Sequence, residues 1–579
     1  TKYSPLIILL LAGCQQPLFK TSSGEDAAAD PTPSAAAPLP FKSRFSPPQQ
    51  MTEDTIYHYL AGEISIQRQQ LDLAYEHFML AASLANDQTA AEKAARIALL
   101  QKQTDAALLA TSKWIDFDPN SVQARQLSAV LHLRNNDLKA AEVQFDALLQ
   151  ITGSQGSNGY LRIASLLASE KDKQRNLQLM RNLAARHPQD AHAHYAMALV
   201  EFEAQQYSQA MNSLGQARIL DPTWDKPYVL EAQILASQGD NQAAEASLEK
   251  ATKKLPKQRS LHQAYGRILV ENQQYKRAIK AFEKAYALEP SDLDVLYAIG
   301  MLAMQAEDWD TARESWNILL NSDDSEKRND ANYFLGQVEE LNDNPDQAMQ
   351  HYRAVGKGKT RTESRLRLAR LLAISGQLEQ AQAMYRELRV LNYHNAIQIY
   401  AAEAQMLKEL GLVDQALELY TAAVKAFPEN MDLRYARGLY AADSGDIDLA
   451  VDDFKAILSV DPENADTLNA LGYTLADQTD RYQEAKGYIL KAHRLKPDNP
   501  AILDSLGWVL YRLGEYEEAL KYLHKAAVAN PDAEIAAHLG EVLWMMGHRS
   551  QAKEVWNKAL TTEPDSKKLK EVMQRLQTP

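Results

Sequence analysis

A small residue returns along this chain at intervals of 33 to 36 residues, and no other feature constrains the fold as strongly. The position is alanine at Ala210, Ala244, Ala278, Ala312, Ala348, Ala381, Ala416, Ala450, Ala485, Ala519 and Ala552. We call this small residue the marker of the repeat. A less regular series of markers precedes it, at Ala74, Ala107, Ala141 and Asn176. Such an interval accommodates two helices and a turn, so we expect about fifteen helix pairs that bury their apolar faces on one another.

The stretch 500–531 shows the organisation of one pair. Each half carries an apolar stripe at helical spacing, Gly514 separates the halves, and Pro531 ends the second helix. Gly507 lies within the first helix, where glycine costs about 1 kcal/mol relative to alanine. That cost is acceptable where a second helix approaches closely, and Ala519 has the matching role. The pattern resembles the tetratricopeptide repeat, which implies an all-α solenoid.

We therefore predict an all-α fold, a superhelical tetratricopeptide-repeat solenoid of about fifteen helix pairs over residues 51–564. Residues 565–579 place Leu569, Val572, Met573 and Leu576 at helical spacing and are predicted to form a C-terminal capping helix. Three irregular stretches are predicted to be loops, and they are candidate hinges or changes in superhelical curvature: Ile151–Asn158, Asn321–Asp330 and Ala354–Ser364.

The N-terminal segment 1–14 is an apolar run that ends in Leu11-Ala12-Gly13-Cys14. It is too short to span a bilayer, which needs about 20 residues. Its end resembles a bacterial lipobox, which implies lipidation of Cys14, and Gln15 after the cysteine favours the outer membrane. The alternative is a short buried helix with an incidental thiol. Residues 15–50 are rich in Pro, Ala and Ser and are predicted to be a disordered tether.

No enzyme is predicted, and no cofactor, metal ion or small-molecule substrate. The segment 356–360 lacks the earlier glycine that a phosphate-binding loop requires. His192 and His194 are two residues apart, so they point to different faces of a helix and do not chelate together. A net charge of −14 argues against non-specific binding to nucleic acid. The chain is therefore predicted to bind proteins.

Aromatic, Met and Leu residues recur in the first helix of each pair, and resemblance to tetratricopeptide proteins implies that they line a concave partner-binding face. These residues are Tyr195, Phe202, Tyr297, Met301, Met304, Tyr333, Tyr435, Leu439, Tyr473, Trp508, Tyr511, Trp544 and Met545. Such side chains give a large contact area at a low cost in conformational entropy. The alternative for each of them is packing against the adjacent repeat.

The lipobox, the tether and the long repeat array together resemble the LbcA-type outer-membrane lipoproteins. The resemblance implies a non-catalytic adaptor, lipid-anchored through Cys14 and facing the periplasm. Its expected partners are a periplasmic carboxyl-terminal processing protease, which it would activate, and substrates of that protease such as peptidoglycan hydrolases. The alternative is a scaffold lipoprotein for outer-membrane export or envelope assembly, for example in exopolysaccharide secretion.

Overall fold

The computed structural model of the chain describes residues 52–152 and 158–577. Over these residues it contains 31 α-helices, one 3-10 helix and no strand. They divide into two compact units, with the boundary in the chain between Leu319 and Leu320. The predicted lipobox with Cys14 and the predicted tether lie outside the described residues, so both stay predictions.

The first unit contains eight consecutive helix pairs. Their bounds are α1 Glu53–Gln67, α2 Leu71–Ala85, α3 Gln88–Leu100, α4 Thr104–Phe117, α5 Val122–Arg134, α6 Leu138–Thr152, α7 Asn158–Ser169, α8 Lys173–Arg186, α9 Ala191–Glu203, α10 Tyr207–Leu220, α11 Lys226–Ser237, α12 Asn241–Lys254, α13 Arg259–Glu271, α14 Tyr275–Leu288, α15 Leu293–Gln305 and α16 Trp309–Leu320. The odd-numbered helices are called A helices below, and the even-numbered ones B helices.

The second unit contains seven pairs and a final helix. Their bounds are α17 Ser325–Leu341, α18 Pro345–Ala354, α19 Arg361–Ile374, α20 Leu378–Leu391, α21 Ala396–Glu409, α22 Val413–Ala426, α23 Met431–Ser444, α24 Ile447–Val460, α25 Ala465–Gln478, α26 Tyr482–Leu495, α27 Pro500–Arg512, α28 Tyr516–Ala529, α29 Ala533–Met545, α30 Arg549–Thr562 and α31 Lys567–Gln577. The 3-10 helix, Tyr393–Asn395, directly precedes α21. With fifteen pairs in all over the described residues, the predicted all-α repeat fold is confirmed.

The periodic alanine is the contact that joins the two helices of a pair. Every marker alanine from Ala74 to Ala552 is fully buried. Where the marker is Asn176, the side-chain amide is buried as well, and its Nδ2 donates to the carbonyl oxygens of Leu167 at 2.7 Å and Glu170 at 3.2 Å. The Nδ2 donor is thus satisfied, whereas the buried Oδ1 has no hydrogen-bond partner among the residues that the structure describes.

Most turns inside a pair contain a residue in the left-handed conformation. In the repeat of α27 and α28, Gly514 has φ +81° and separates the helices, as the sequence predicts. Left-handed φ values at non-glycine residues mark several equivalent turns in the first unit, for example at Gln205 and Gln273. A glycine is therefore favoured but not required at this turn.

Two of the predicted loops are more regular than expected. In the stretch 321–330, α17 already begins at Ser325, because the Asp324 carboxylate accepts hydrogen bonds from the backbone N–H groups of Glu326 and Lys327. In the stretch 354–364, Asn329 accepts from the Gly356 N–H at 2.9 Å and donates to the Lys357 carbonyl at 2.7 Å. These hydrogen bonds hold the loop against α17, and its role as a hinge stays a prediction. Residues 153–157 of the third predicted loop lie outside the described residues.

None of the helices within residues 52–152 and 158–577 combines the length and the apolar character needed to cross a membrane. The hydrophobic side chains serve instead to join neighbouring helices. In the second unit, one core cluster runs continuously from Ala441 to Val572 and includes residues of every helix pair between them. The apolar surface of each helix is thus buried on its neighbours, as repeat architecture requires.

A closely packed glycine gives a test of this packing. A Cβ added at Gly540 in α29 would lie 2.0 Å from Nε1 of the fully buried Trp556 in α30. We expect Gly540→Ala to destabilise this pair by about 1–3 kcal/mol, because the indole has no room to move. In α26, nothing lies within 4 Å of a Cβ at Gly487, so Gly487→Ala should stabilise by about 0.5–1 kcal/mol. Local hydrogen exchange measures both, and a destabilisation of equal size in the two variants would contradict the packing argument.

Candidate binding face

The residues predicted to line a binding face all lie on A helices, but they differ in exposure. Four are buried: Tyr195, Met301, Met304 and Trp508. Phe202, Tyr297, Tyr333, Tyr435, Tyr473, Tyr511 and Trp544 are half-buried, and Leu439 and Met545 are exposed. For the four buried residues the prediction of an accessible surface is wrong, because neighbouring helices and loops cover their side chains.

In the first unit the predicted residues pack on other aromatic rings. The ring of Tyr195 lies 4.8 Å from the ring of Trp224, and burial raises the pKa of the Tyr195 phenol. Tyr297 meets the ring of Trp316 edge-on at 5.2 Å. Phe202 lies 6.1 Å from Tyr207 at the start of the following B helix. Tyr297 and Phe202 therefore pack within their own helix pair, and only Tyr195 contacts the next repeat, which is the alternative that the sequence leaves open.

The predicted stripe at the C-terminal end belongs to a polar network within the second unit. Trp508 stacks on the ring of His538 at 4.2 Å, and its Nε1 donates to Asp477 at 3.1 Å. The Tyr511 hydroxyl donates to the buried carboxylate of Glu541 at 3.0 Å. These contacts join α25, α27 and α29 across consecutive repeats.

The last helix, α31, lies over part of this stripe. Lys568 Nζ donates to the hydroxyl of Tyr473 at 2.7 Å and to the carboxylate of Glu534 at 2.6 Å, so α31 reaches both α25 and α29. Arg575 donates to Glu541 at 2.6 Å, and Leu569 is fully buried. The helix therefore lies across the A helices that the sequence presents as an open surface.

Beyond the reach of α31, the A helices of the second unit carry an exposed row of charges. Arg370 in α19 contacts Glu340 in α17 at 3.3 Å and Glu409 in α21 at 2.8 Å. Lys408 in α21 pairs with Asp443 in α23 at 2.7 Å, and this hydrogen bond raises the pKa of Lys408. The pairs link four successive A helices along one surface.

Exposed apolar side chains accompany these charges. Leu341, Ile374 and Leu439 are 55%, 51% and 40% exposed. Leu341 and Ile374 occupy equivalent positions, each five residues after the small residue of its A helix. We call the exposed surface of α17, α19, α21 and α23 that carries these three side chains and the ion pairs the second-unit A face.

The sequence identified only part of the second-unit A face. Leu439 was predicted directly, as were the half-buried Tyr333 and Tyr435 of the same helices. Leu341, Ile374 and Arg370 are not predicted, because they do not belong to the recurring pattern of aromatic and Met side chains. The sequence feature that could have predicted Leu341 and Ile374 is their shared position, five residues after the small residue of the A helix.

The arrangement is suited to non-covalent recognition. Apolar side chains at the surface give contact area, while exposed ion pairs contribute only about 0.2–1 kcal/mol each and are easily exchanged for pairs with a partner. Among the residues the structure describes, no group of three or more His, Cys, Asp or Glu could hold a metal ion. The fold and this face define a helical-repeat scaffold for protein–protein interaction.

Comparisons with known proteins identify the repeat. Tetratricopeptide-repeat models match residues 229–292, 269–333, 402–459, 435–500 and 500–533. The TPR repeat-containing protein PA4667 of Pseudomonas aeruginosa is 30% identical over 541 residues, which cover 92% of this chain and 89% of that protein. The chain belongs to the family of tetratricopeptide-repeat proteins.

Solved structures with related helical arrays include two assemblies. A chain in the structure of Naa15/Naa10 bound to HypK-THB is 13% identical, with 90% of this chain and 96% of that chain covered at a TM-score of 0.33. A chain of the APC/C hetero-tetramer Cut9-Hcn1 is 14% identical, with coverage of 91% and 96% and a TM-score of 0.29. Neither similarity extends to the functions of those assemblies.

Proposed function

We propose that this chain is a non-catalytic, lipid-anchored adaptor that binds and activates a periplasmic carboxyl-terminal processing protease. In this role it delivers substrates such as peptidoglycan hydrolases to the protease at the outer membrane. The observation that carries the proposal is the second-unit A face, an accessible surface of apolar side chains and exchangeable ion pairs. The anchoring part is supported by the sequence Leu11–Cys14, which lies outside the described residues.

The second-unit A face fits a partner segment that is partly apolar. Leu341, Ile374 and Leu439 expose surface whose burial contributes about 25 cal/mol per Å². Arg370 and Lys408 hold their carboxylate partners in solvent-exposed pairs, so a partner's own charges can compete for them. A surface of this kind selects a partner by shape and by charge pattern together.

Adaptor function follows from holding two proteins at once. A substrate bound to a chain that also binds the protease meets the active site at an effective concentration set by the tether between them, which reaches the millimolar range for short linkers. No catalytic group in the adaptor is needed for this effect. The layout of lipobox, tether and repeats in the sequence supports the choice of a periplasmic protease as the partner.

The test replaces two side chains of the second-unit A face. We expect Ile374→Asp combined with Leu439→Asp to weaken binding of the purified protease by at least about tenfold, because each Asp places a charge against apolar partner surface. The matched control is Val390→Asp combined with Val528→Asp, on B-helix surfaces where these valines are 80% and 74% exposed. Binding is measured by biosensor, and activation by degradation of a peptidoglycan endopeptidase.

Each outcome of this experiment is informative. Equal weakening by the control pair would remove the second-unit A face from the proposal, and degradation of the substrate by the chain alone would overturn the non-catalytic role. In cells, Cys14→Ser should release both the chain and its protease from the outer-membrane fraction. A variant that still sediments with the membrane would contradict anchoring through Cys14, and capture of an export porin instead of a protease would favour the export scaffold.

A further inference from the structure

We propose that a basic cleft in the first unit binds an acidic, extended segment of a partner protein. The cleft lies between α12, α13 and α14 and has a volume of about 620 Å³. Its rim carries Lys253, Arg277, Lys280 and Lys284, and its apolar lining includes Tyr265 and Leu288. This proposal does not depend on the protease role, because the cleft is remote in sequence from the second-unit A face.

The cleft concentrates positive charge in an acidic chain. Residues 249–290 contain ten Lys and Arg but only four Asp and Glu, whereas the whole chain has a net charge of −14. The excess of positive charge in this segment is therefore local, because the chain as a whole is negatively charged. Glu249 also lines the cleft, but its carboxylate is paired with Lys253. A concave site with an excess of one sign of charge attracts ligands of the other sign. The cleft is therefore suited to carboxylates.

Two of the rim cations are available to a ligand. Lys253 pairs with Glu249 at 2.7 Å, and Arg277 contacts Glu245 at 2.5 Å and the Tyr265 hydroxyl at 2.6 Å. Lys280 and Lys284 are exposed and make no ion pair or hydrogen bond with any residue that the structure describes. Four residues apart on α14, they present two unneutralised ammonium groups on one side of the helix.

The spacing of these lysines matches a peptide chain. Four residues of helix rise about 6 Å, and two residues of extended chain advance by about 6.6 Å. Carboxylates on alternate residues of an extended segment can therefore meet Lys280 and Lys284 together. The apolar lining at Tyr265, Ala281 and Leu288 gives a peptide's apolar side chains a surface that a lipid headgroup would not use.

The probe is a labelled peptide of alternating Glu and Leu, whose binding to the full chain is followed by fluorescence anisotropy. We expect Lys280→Glu combined with Lys284→Glu to weaken binding by at least about tenfold, because both charges are reversed. The matched control, Lys425→Glu combined with Lys558→Glu, makes the same change in net charge at exposed B-helix lysines. The control variant should bind the peptide as tightly as the unchanged chain does. In both proteins, added salt should weaken peptide binding.

Other outcomes overturn the proposal. If the control variant weakens peptide binding equally, the binding depends on the net charge of the whole protein and not on this cleft. If a peptide of alternating Lys and Leu binds equally well, the cleft does not select acidic peptides. Sedimentation with phosphatidylglycerol vesicles, in the absence of peptide binding, would assign the cleft to an anionic membrane surface instead. Circular dichroism confirms that the variants fold, and protease stimulation is measured separately, so a failure here leaves the adaptor proposal standing.

Discussion

Trp508→Ala is expected to destabilise the last repeats by about 3–5 kcal/mol, the loss typical of a large buried aromatic side chain. Trp508 is 6% exposed, although its place on an A helix marks it in the sequence as a binding residue. Its indole stacks on His538 and donates a hydrogen bond to Asp477. Removing it leaves a cavity beside the buried Asp504–His538 pair, whose atoms lie 3.0 Å apart.

Local hydrogen exchange across α25 to α29 is the appropriate measurement, because each repeat is stabilised mainly by its direct neighbours. A single melting temperature would average over the whole array. The control is Met545→Ala in α29, where the side chain is 50% exposed and truncation should change stability by less than about 0.5 kcal/mol. Unchanged protection in Trp508→Ala, together with weaker partner binding, would return Trp508 to the binding surface.

The repeat frame could be read from the sequence because its cause is local. Ala519 lies twelve residues after Gly507, and most of the repeats keep this spacing between their two small residues. Their contact needs only two helices and the turn between them. A Cβ at Gly507 would lie 2.5 Å from Leu523 Cγ, so the steric reason for the small residue lies within the same repeat. Local and repeated constraints of this kind leave a periodic signal in the chain.

The accessible surface could not be read in the same way. Trp508 and Leu439 follow the small residue of their A helices directly, yet the first is buried and the second is exposed. Trp508 is covered by the ring of His538 on the following A helix, and its Nε1 donates to Asp477 on the preceding one. These two partners are particular to their own repeats, so no periodic pattern encodes the contacts. Exposure in a repeat array depends on what lies above each helix, and the sequence of one repeat does not contain that information.

Asp453→Ala should destabilise the pair α23 and α24 by about 3 kcal/mol, because it leaves two half-buried arginines without their buried counter-charge. Asp453 is 1% exposed. Its two carboxylate oxygens accept from Arg437 Nε and Nη2, each at 2.7 Å, and Arg434 lies 3.3 Å away. The bidentate geometry with Arg437 is the strongest form of this interaction, and it raises the pKa of Arg437.

The neighbouring Asp452 provides the matched control, since it is exposed on the same helix and Asp452→Ala should change stability by less than about 0.5 kcal/mol. A double variant, Asp453→Leu with Arg437→Met, should recover most of the loss, because apolar residues of similar volume replace a buried ion pair at little net cost. Hydrogen exchange of peptides from α23 and α24 measures all three variants. If Asp453→Ala loosens these helices no more than Asp452→Ala does, the buried pair does not hold this repeat together. If the double variant is as unstable as Asp453→Ala, the loss comes from packing and not from the unpaired arginine.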